Sequence, residues 1–210
     1  MSHKIAYTDD SAPTILTPKV GTPTKRVVII GGVHGDELAG RLAPSEFARL
    51  LMFYRKDPLP EAIDQIEFLI IPEASPRACA IGQRCDNGIS GDLNVSWSGL
   101  TLNEREEREL TSYSVKRAAE IEGMILKFNP DVVISFHAMN VDAIMAWTVD
   151  PIQAPFPTTQ FKSTTCGGLP QWCKNHGILG IDLEAPSLHP SLRDSAAELA
   201  MAACDFLAQS

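Results

Sequence analysis

Two histidines and a glutamate stand where their side chains could hold a metal ion. Residues 26–37 read RVVIIGGVHGDE, so a β-branched apolar run leads into a glycine-rich turn that carries His34 and Glu37. An imidazole nitrogen and a carboxylate three residues apart can reach one ion when the turn between them is tight, and Gly35 gives the backbone that freedom. The spacing predicts two metal ligands from a single turn.

A third ligand is predicted at His137, which ends a second apolar run in residues 130–137, PDVVISFH. If the two runs form neighbouring strands of a parallel sheet, His34, Glu37 and His137 meet at the carboxyl edge of that sheet, where α/β proteins bind ligands. Two imidazoles and one carboxylate with an open fourth position are what catalytic zinc prefers. The pattern therefore indicates a hydrolytic zinc site.

The elements that must position these residues alternate between strands and helices along the chain. Apolar runs predict strands over 26–30, 65–71, 130–137, 143–149 and 178–184, and amphipathic spacing predicts helices over 38–56, 112–129 and 192–207. The alternation favours an α/β fold, a three-layer sandwich with a mostly parallel, twisted mixed sheet flanked by helices. Residues 1–25 are expected to be a lead-in with room for one edge strand, and residues 26–210 a single catalytic domain.

Finer expectations concern Pro44, the loop and the helix faces. Pro44 is predicted to kink the first helix or to start a new one. Residues 72–100 are predicted to form a long polar loop, and the alternating charges of residues 104–109 a solvated helix face. The inward residues of the 112–129 helix are predicted to be Val115, Ala118, Ala119, Ile121, Ile125 and Leu126.

Composition limits the classes of partner and compartment. A formal charge of −8 and an isoelectric point near 5.1 argue against nucleic acid as a partner. The sequence shows no stretch long and apolar enough for a membrane span or for the core of a signal peptide. Five irregularly spaced cysteines suit free thiols in a reducing compartment, so a cytoplasmic protein is expected.

Four short motifs, taken in order, resemble the signatures of the carboxypeptidase-A-like zinc hydrolases, a superfamily that includes the murein peptide amidases and the succinylglutamate desuccinylase/aspartoacylase branch. The motifs are GVHGDE at 32–37, GDLN at 91–94, FH at 136–137 and DLE at 182–184. The resemblance spans roughly residues 26–186 and implies one zinc ion per chain, held by His34, Glu37 and His137.

The resemblance also implies roles for four further residues. Glu184 matches the glutamate that takes a proton from water and passes it to the leaving amine, although taken alone it could equally be a surface residue before Pro186. Arg84 resembles an arginine that stabilises the oxyanion of the tetrahedral intermediate. Asp92 matches a carboxylate that orients a ligating histidine, and Asn94 matches a contact to the substrate carboxylate.

The chain departs from the superfamily pattern at two places. Val95 stands where an arginine usually follows the asparagine, and valine cannot pair with a carboxylate. No tyrosine follows His137, although many relatives use one there, which leaves His176 and His189 as possible hydrogen-bond donors. The short interval from His137 to Glu184 favours a compact pocket, like that of peptidoglycan-peptide amidases or deacylases.

Three functions are compatible with these residues. The leading prediction is a zinc-dependent metallocarboxypeptidase or amidase that hydrolyses an amide bond of a small peptide, such as a murein peptide. The first alternative is an N-acyl-amino-acid deacylase of the succinylglutamate desuccinylase/aspartoacylase type, and the second is a binding module that has lost catalysis. A dinucleotide site is disfavoured, because Gly-x-Gly-x-x-Gly is absent and the acidic groups of the turn would repel pyrophosphate.

Overall fold

A single mixed sheet organises the part of the chain that the computed structural model describes. The described residues are 13–17, 22–53, 61–139, 141–161, 167–186 and 191–210. The seven strands are β1 Thr14–Leu16, β2 Lys25–Ile30, β3 Ile66–Ile71, β4 Val132–Met139, β5 Met145–Thr148, β6 Thr158–Gln160 and β7 Leu179–Pro186. Their order across the sheet is β1-β3-β2-β4-β7-β5-β6.

The four central strands are parallel. β3, β2, β4 and β7 run in the same direction, whereas β1 joins β3 and β5 joins β7 in antiparallel pairs. Residues 27–30 of β2 are fully buried, as expected for a strand covered on both faces, and this explains their continuous apolar run. The predicted edge strand within residues 1–25 is confirmed by β1.

Helices cover both faces of the sheet. They are α1 Leu38–Phe53, α2 Glu61–Asp64, α3 Pro76–Ile81, α4 Glu104–Arg108, α5 Ser112–Phe128, α6 Gly168–Asn175 and α7 Leu192–Gln209. On one face α1 and α7 form a core with side chains such as Ile29, Ile134 and Leu183. On the other face α5 and α6 pack against residues such as Val28 and Val133. The predicted three-layer sandwich with a mostly parallel mixed sheet is confirmed.

The inward face of α5 differs in part from the prediction. Val115 and Leu126 are 44% and 47% exposed, and Ala119 is exposed as well. The buried residues are Ser114, Ala118, Ile121, Glu122 and Ile125. These repeat every three to four positions and share one side of the helix, and the three wrongly predicted residues lie one position farther around it. Glu122 is tolerated inside because its carboxylate accepts hydrogen bonds from the backbone and hydroxyl of Ser98.

Two further expectations need correction. α1 continues through Pro44, so the expected fresh helix start is wrong. The helix tolerates this proline because it removes only one helix hydrogen bond. The proline ring packs against Gly31, where a Cβ would lie 2.4 Å from Pro44 Cγ, so only glycine leaves room for the ring. The segment 72–100 is not wholly loop, because it contains α3 and a 3₁₀ turn at Leu93–Val95. The solvated character of α4 is confirmed, since none of its residues is buried.

The corrected face of α5 can be tested with two truncations. Ile121→Ala removes a fully buried side chain and is expected to lower the free energy of unfolding by about 2–5 kcal/mol. Leu126→Ala removes a side chain that is 47% exposed and is expected to change it by less than about 1 kcal/mol. Urea denaturation of both variants measures the difference, and equal losses would contradict the assigned face.

Candidate metal centre and active site

The turn after β2 brings His34 and Glu37 to the edge of the sheet. The backbone N–H of Gly35 donates to the carbonyl of Gln83, and a Cβ on Gly35 would lie 2.0 Å from the carbonyl oxygen of Ala78 in α3. Only glycine therefore permits this turn to pack against α3. Gln83 and α3 thus hold the turn in place, which fixes the direction of the His34 and Glu37 side chains.

Three side chains converge on one point. His34 Nδ1 lies 2.7 Å from Glu37 Oε1, and His137 Nδ1 lies 2.9 Å from Glu37 Oε2. One candidate ligand atom from each of the three residues lies within 4.8 Å of the other two. Because β2 and β4 are neighbours in register, with Ile30 opposite Ser135, the two histidines reach the same edge of the sheet. The structure thus brings together the three residues that the sequence predicted as ligands.

The donor set suits zinc. Two imidazole nitrogens and a carboxylate are its common ligands in catalytic sites. Both Nδ1 atoms face the same carboxylate, and both histidines are buried, which leaves their nitrogens no competing contact with bulk water. The buried atoms His137 Nε2 and Glu184 Oε2 have no hydrogen-bond partner in the described part of the chain. Such unsatisfied groups are costly in a protein interior, and the water of a bound ion could give the orphaned Glu184 Oε2 a hydrogen-bond partner.

Electrostatics link the three side chains. Burial alone would raise the pKa of the Glu37 carboxyl, but His137 and His34 hold it well below its usual range. Burial disfavours a charged His137, yet the neighbouring Glu37, with Asp182 and Glu184, raises the pKa of His137 to about 10. The pKa of His34 is raised in the same way, by Asp92 and Glu37 against the effect of burial. The cluster therefore has one carboxylate whose charge is strongly favoured, between two imidazoles.

Asp92 lies on the far side of His34. Its Oδ1 atom is 3.1 Å from His34 Nε2 and also accepts the backbone N–H of Asn94 at 2.8 Å. That second hydrogen bond caps the 3₁₀ turn at Leu93–Val95, so the turn fixes the carboxylate while the carboxylate fixes the imidazole. This is the position that an orienting carboxylate requires.

Arg84 reaches the centre from the loop after α3. One of its terminal nitrogens donates to Glu37 Oε1 at 3.1 Å, and its Nε lies 3.5 Å from Asp92 Oδ2. The side chain is 53% exposed, so the guanidinium stands between the carboxylates and solvent. An incoming anion or a developing oxyanion would meet this cation first.

Glu184 stands beside His137. The two residues are directly opposite in the β4–β7 pair, and Glu184 is half-buried. Burial raises the pKa of the Glu184 carboxyl to about 7, with His137 opposing the rise and Glu37 adding to it. A carboxylate that titrates near neutrality can both accept and return a proton at physiological pH.

Asn94 and Val95 occupy different environments. Asn94 is half-buried, and its buried Oδ1 atom has no hydrogen-bond partner in the described structure. Val95 is only 7% exposed and belongs to the packed interior of the 3₁₀ turn. An arginine at position 95 could not adopt the place of this valine without moving the turn.

The substitutes considered for the missing donors are engaged elsewhere. His176 stacks on Trp172 with ring centroids 4.3 Å apart, and its Nδ1 lies 2.9 Å from the Trp172 carbonyl. Two arginines that could compensate for Val95 are also engaged, since the Arg77 guanidinium lies over the Tyr113 ring at 3.8 Å and Arg193 pairs with Glu46. His189 lies outside the described residues.

An open cavity of about 310 Å³ leads to the centre. Its lining residues are Asp36, Glu37, Leu38, Ala39, Arg84, Ala138 and Leu192. Leu38 and Leu192 remain 42% and 39% exposed, so one wall of the cavity is apolar while Arg84 and the acidic residues form the other. Sequence reasoning could not have found this apolar wall, because its two leucines come from helices that are distant in the chain.

Several contacts of the centre were missed by sequence reasoning. The backbone N–H of Ala138 donates to Glu37 Oε2 at 3.2 Å. Ser135 donates a short hydrogen bond to Asp182, whose Oδ1 lies 3.8 Å from His137 Nε2. Burial raises the pKa of Asp182, and His137 and Ser135 oppose that rise. Strand alternation could have indicated Ser135 and Asp182, since each lies two positions before a predicted site residue and faces the same side of the sheet.

Comparison with known proteins identifies the class. Residues 23–140 match the family model of the succinylglutamate desuccinylase/aspartoacylase catalytic domain, which is more than half of the chain. The chain belongs to this family, and the resemblance to the succinylglutamate desuccinylase/aspartoacylase branch drawn from its motifs is confirmed.

Individual relatives agree with that assignment. A probable aspartoacylase of Nostoc sp. is 32% identical over 117 residues, which cover 54% of this chain and 35% of the relative. A metallo-carboxypeptidase from Burkholderia cenocepacia has the same fold, with a TM-score of 0.71, 16% identity and coverage of 95% of this chain and 61% of that one. A succinylglutamate desuccinylase from Silicibacter sp. TM1040 gives a TM-score of 0.66, 17% identity and coverage of 94% and 59%.

The chain thus spans about a third of the curated relative and about three fifths of these two solved structures. Within the described ranges, no helix has the length and apolar character needed to cross a membrane.

The close approach of α1 to β4 can be tested at Gly40. A Cβ at this position would lie 2.5 Å from the Phe136 carbonyl oxygen and 3.1 Å from His137 Cα. Gly40→Ala is therefore expected to lower the melting temperature by several degrees, since overpacking costs about 1–3 kcal/mol. Gly123→Ala is the matched control, because this helical glycine has open space at its Cβ. It should leave stability unchanged or raise it by about 0.5–1 kcal/mol, and equal effects of the two substitutions would contradict the assigned contact.

Proposed function

We propose that this protein is a zinc-dependent hydrolase that cleaves the amide bond of an N-acyl amino acid. The observation that carries the proposal is the convergence of His34 and His137 on the two oxygens of Glu37, with Glu184 directly opposite His137. Membership of the succinylglutamate desuccinylase/aspartoacylase catalytic family supports the acyl-amino-acid class of substrate.

The ligand set would be His34, Glu37 and His137, one zinc ion per chain. Zinc bound there would polarise the scissile carbonyl and lower the pKa of its bound water. The Asp92 carboxylate holds the imidazole of His34 in place through Nε2, so Nδ1 stays directed toward Glu37. Orienting contacts of this kind fix the tautomer of a ligating histidine.

The protein side chains would divide the remaining work. Glu184, with its pKa near 7, accepts the proton of the attacking water and returns it to the leaving amine. Arg84, half-exposed in the lining of the cavity, supplies the positive charge for the oxyanion that forms on the carbonyl. Asn94, whose buried Oδ1 has no hydrogen-bond partner in the described structure, would contact the substrate carboxylate, as the resemblance implies.

The second candidate is hydrolysis of a small peptide by a metallocarboxypeptidase or amidase activity, with a murein peptide as the predicted example. Two observations favour it. Val95 is buried where relatives present an arginine, which weakens recognition of carboxylate-rich acyl amino acids, and the cavity has an apolar wall at Leu38 and Leu192. Peptide substrates supply apolar side chains for such a wall.

The metal is tested by elemental analysis of the purified protein. Wild type should hold about one zinc per chain, consistent with an open three-ligand site, and His137→Ala should lose it. His176→Ala is the matched control, because this histidine stacks on Trp172 and is expected to leave zinc content unchanged. Full zinc occupancy in His137→Ala would show that the ligand assignment is wrong.

Catalysis is tested with Glu184→Gln on a panel of N-acyl amino acids and small peptides, murein peptides included. Glutamine keeps the shape but cannot accept the proton, so kcat is expected to fall by roughly 100-fold to 10,000-fold while zinc stays bound. Glu120→Gln, which changes a largely exposed carboxylate on α5, serves as control. Unchanged turnover in Glu184→Gln would assign the base elsewhere, and the better substrate class in wild type decides between the two candidate functions.

A further inference from the structure

A second carboxylate stands behind His137 in the way that Asp92 stands behind His34. Each of the two imidazoles turns Nδ1 toward Glu37, at 2.7 Å for His34 and 2.9 Å for His137. On the opposite side of the ring, His34 Nε2 meets Asp92 Oδ1 at 3.1 Å, and His137 Nε2 has Asp182 Oδ1 at 3.8 Å. The two histidines are therefore each placed between Glu37 and an aspartate.

Strand register places Asp182 there. Ser135 pairs with Asp182 and His137 pairs with Glu184 in the parallel β4–β7 ladder, so these four side chains project from the same face of the sheet. The alternate residues of the same strands, such as Phe136 and Leu183, point into the core on the other face. The position of Asp182 behind the ring follows from backbone pairing and does not depend on a mobile loop.

Asp182 is buried, so its carboxylate must find its hydrogen-bond partners within the protein. Asp182 is 3% exposed and His137 is 2% exposed, while Ser135 is fully buried. A buried carboxylate needs hydrogen bonds and a positively polarised neighbour, and the single hydroxyl of Ser135 supplies only one such contact. Among the described residues, His137 Nε2 is buried without a hydrogen-bond partner. This nitrogen lies on the side of the ring that faces the buried Asp182 carboxylate.

The gap between them is short enough to close. A hydrogen bond between an imidazole N–H and a carboxylate spans about 2.7–3.2 Å, so a movement of roughly 1 Å would form it. The hydroxyl of Ser135 donates to the same Oδ1 atom that faces His137 and holds that oxygen in place.

We propose that Asp182 is a positioning residue that accepts a hydrogen bond from the Nε2–H of His137 in the zinc-loaded protein, with Ser135 fixing the Asp182 carboxylate. The role rests on the proposed zinc site. It sets the tautomer of His137, so that Nδ1 carries the lone pair that binds the metal, and it makes the imidazole a stronger donor. Both histidine ligands would then be oriented by an aspartate, one from a loop and one from a strand.

The test compares zinc affinity in Asp182→Asn, Ser135→Ala and wild type by competition with a chelator of known affinity. Loss of an orienting partner typically weakens metal binding by about 10-fold to 100-fold, and Ser135→Ala should weaken it by a smaller factor. Glu122→Gln is the matched control, because it neutralises another buried carboxylate, on α5, that contacts only Ser98 in the described structure. Its zinc affinity should equal that of wild type.

A second readout separates positioning from a general structural effect. In the zinc-loaded protein the Nε2–H proton of His137, assigned by long-range ¹H–¹⁵N correlation through the imidazole ring, should resonate far downfield and should shift upfield in Asp182→Asn. Glu122→Gln should leave this resonance unchanged. If Asp182→Asn does not fold, Ser135→Ala decides, through a weaker zinc affinity together with a shifted resonance.

The outcomes distinguish this role from the proposed function. Wild type that binds no zinc would overturn the zinc site and the role of Asp182 together. Wild type that binds zinc, with affinity and resonance unchanged in the folded Asp182→Asn variant or, failing that, in Ser135→Ala, would overturn the role of Asp182 alone.

Discussion

The carboxylate of Glu37 gathers most of the contacts that define the site. Its two oxygens receive His34 Nδ1, His137 Nδ1, the backbone N–H of Ala138 and a nitrogen of Arg84. These four contacts come from the turn after β2, from β4 and from the loop after α3, so the carboxylate joins segments that are distant in sequence. A buried anion of this kind is stable only when such donors surround it. The position of this one carboxylate therefore depends on three features together: the placement of the turn, the register of the strands and the path of the loop.

Strand pairing brings most of these groups to the same edge of the sheet. β2 and β4 are neighbours, which brings His34 and His137 to one edge, and β7 adds Asp182 and Glu184 beside His137. The helices contribute by close packing, because Gly35 permits α3 to approach the turn and Gly40 permits α1 to approach the backbone of β4. Catalytic groups on rigid strands keep their mutual distances well, whereas Arg84 on a loop has more freedom to follow a substrate.

Much of this arrangement could be predicted from the sequence. Continuous β-branched runs predicted the buried strands, and the histidines that follow β2 and end the run in β4 predicted the ligand set, because the carboxyl ends of parallel strands share an edge. The short helices α3 and α6 and the strand β6 were not predicted, since a few residues carry too little periodicity to indicate an element. The face of α5 was misjudged because Ser114 and Glu122 are buried by hydrogen bonding, which apolar spacing cannot show. The apolar wall at Leu38 and Leu192 and the proximity of Asp182 to His137 depend on tertiary placement.

The alternation of side chains along β4 and β7 has a consequence for how the protein folds and evolves. Ser135, His137, Asp182 and Glu184 share one face, and the residues between them, Ile134, Phe136, Ile181 and Leu183, fill the core on the other. A slip of one residue in the pairing would turn the apolar set toward the polar cluster and bury the charged set in the core. The register that closes the core is therefore the same register that aligns the four polar side chains. Residues in loops and helix ends can be exchanged without disturbing this register, whereas an insertion or deletion within either strand would displace the polar cluster and the core together.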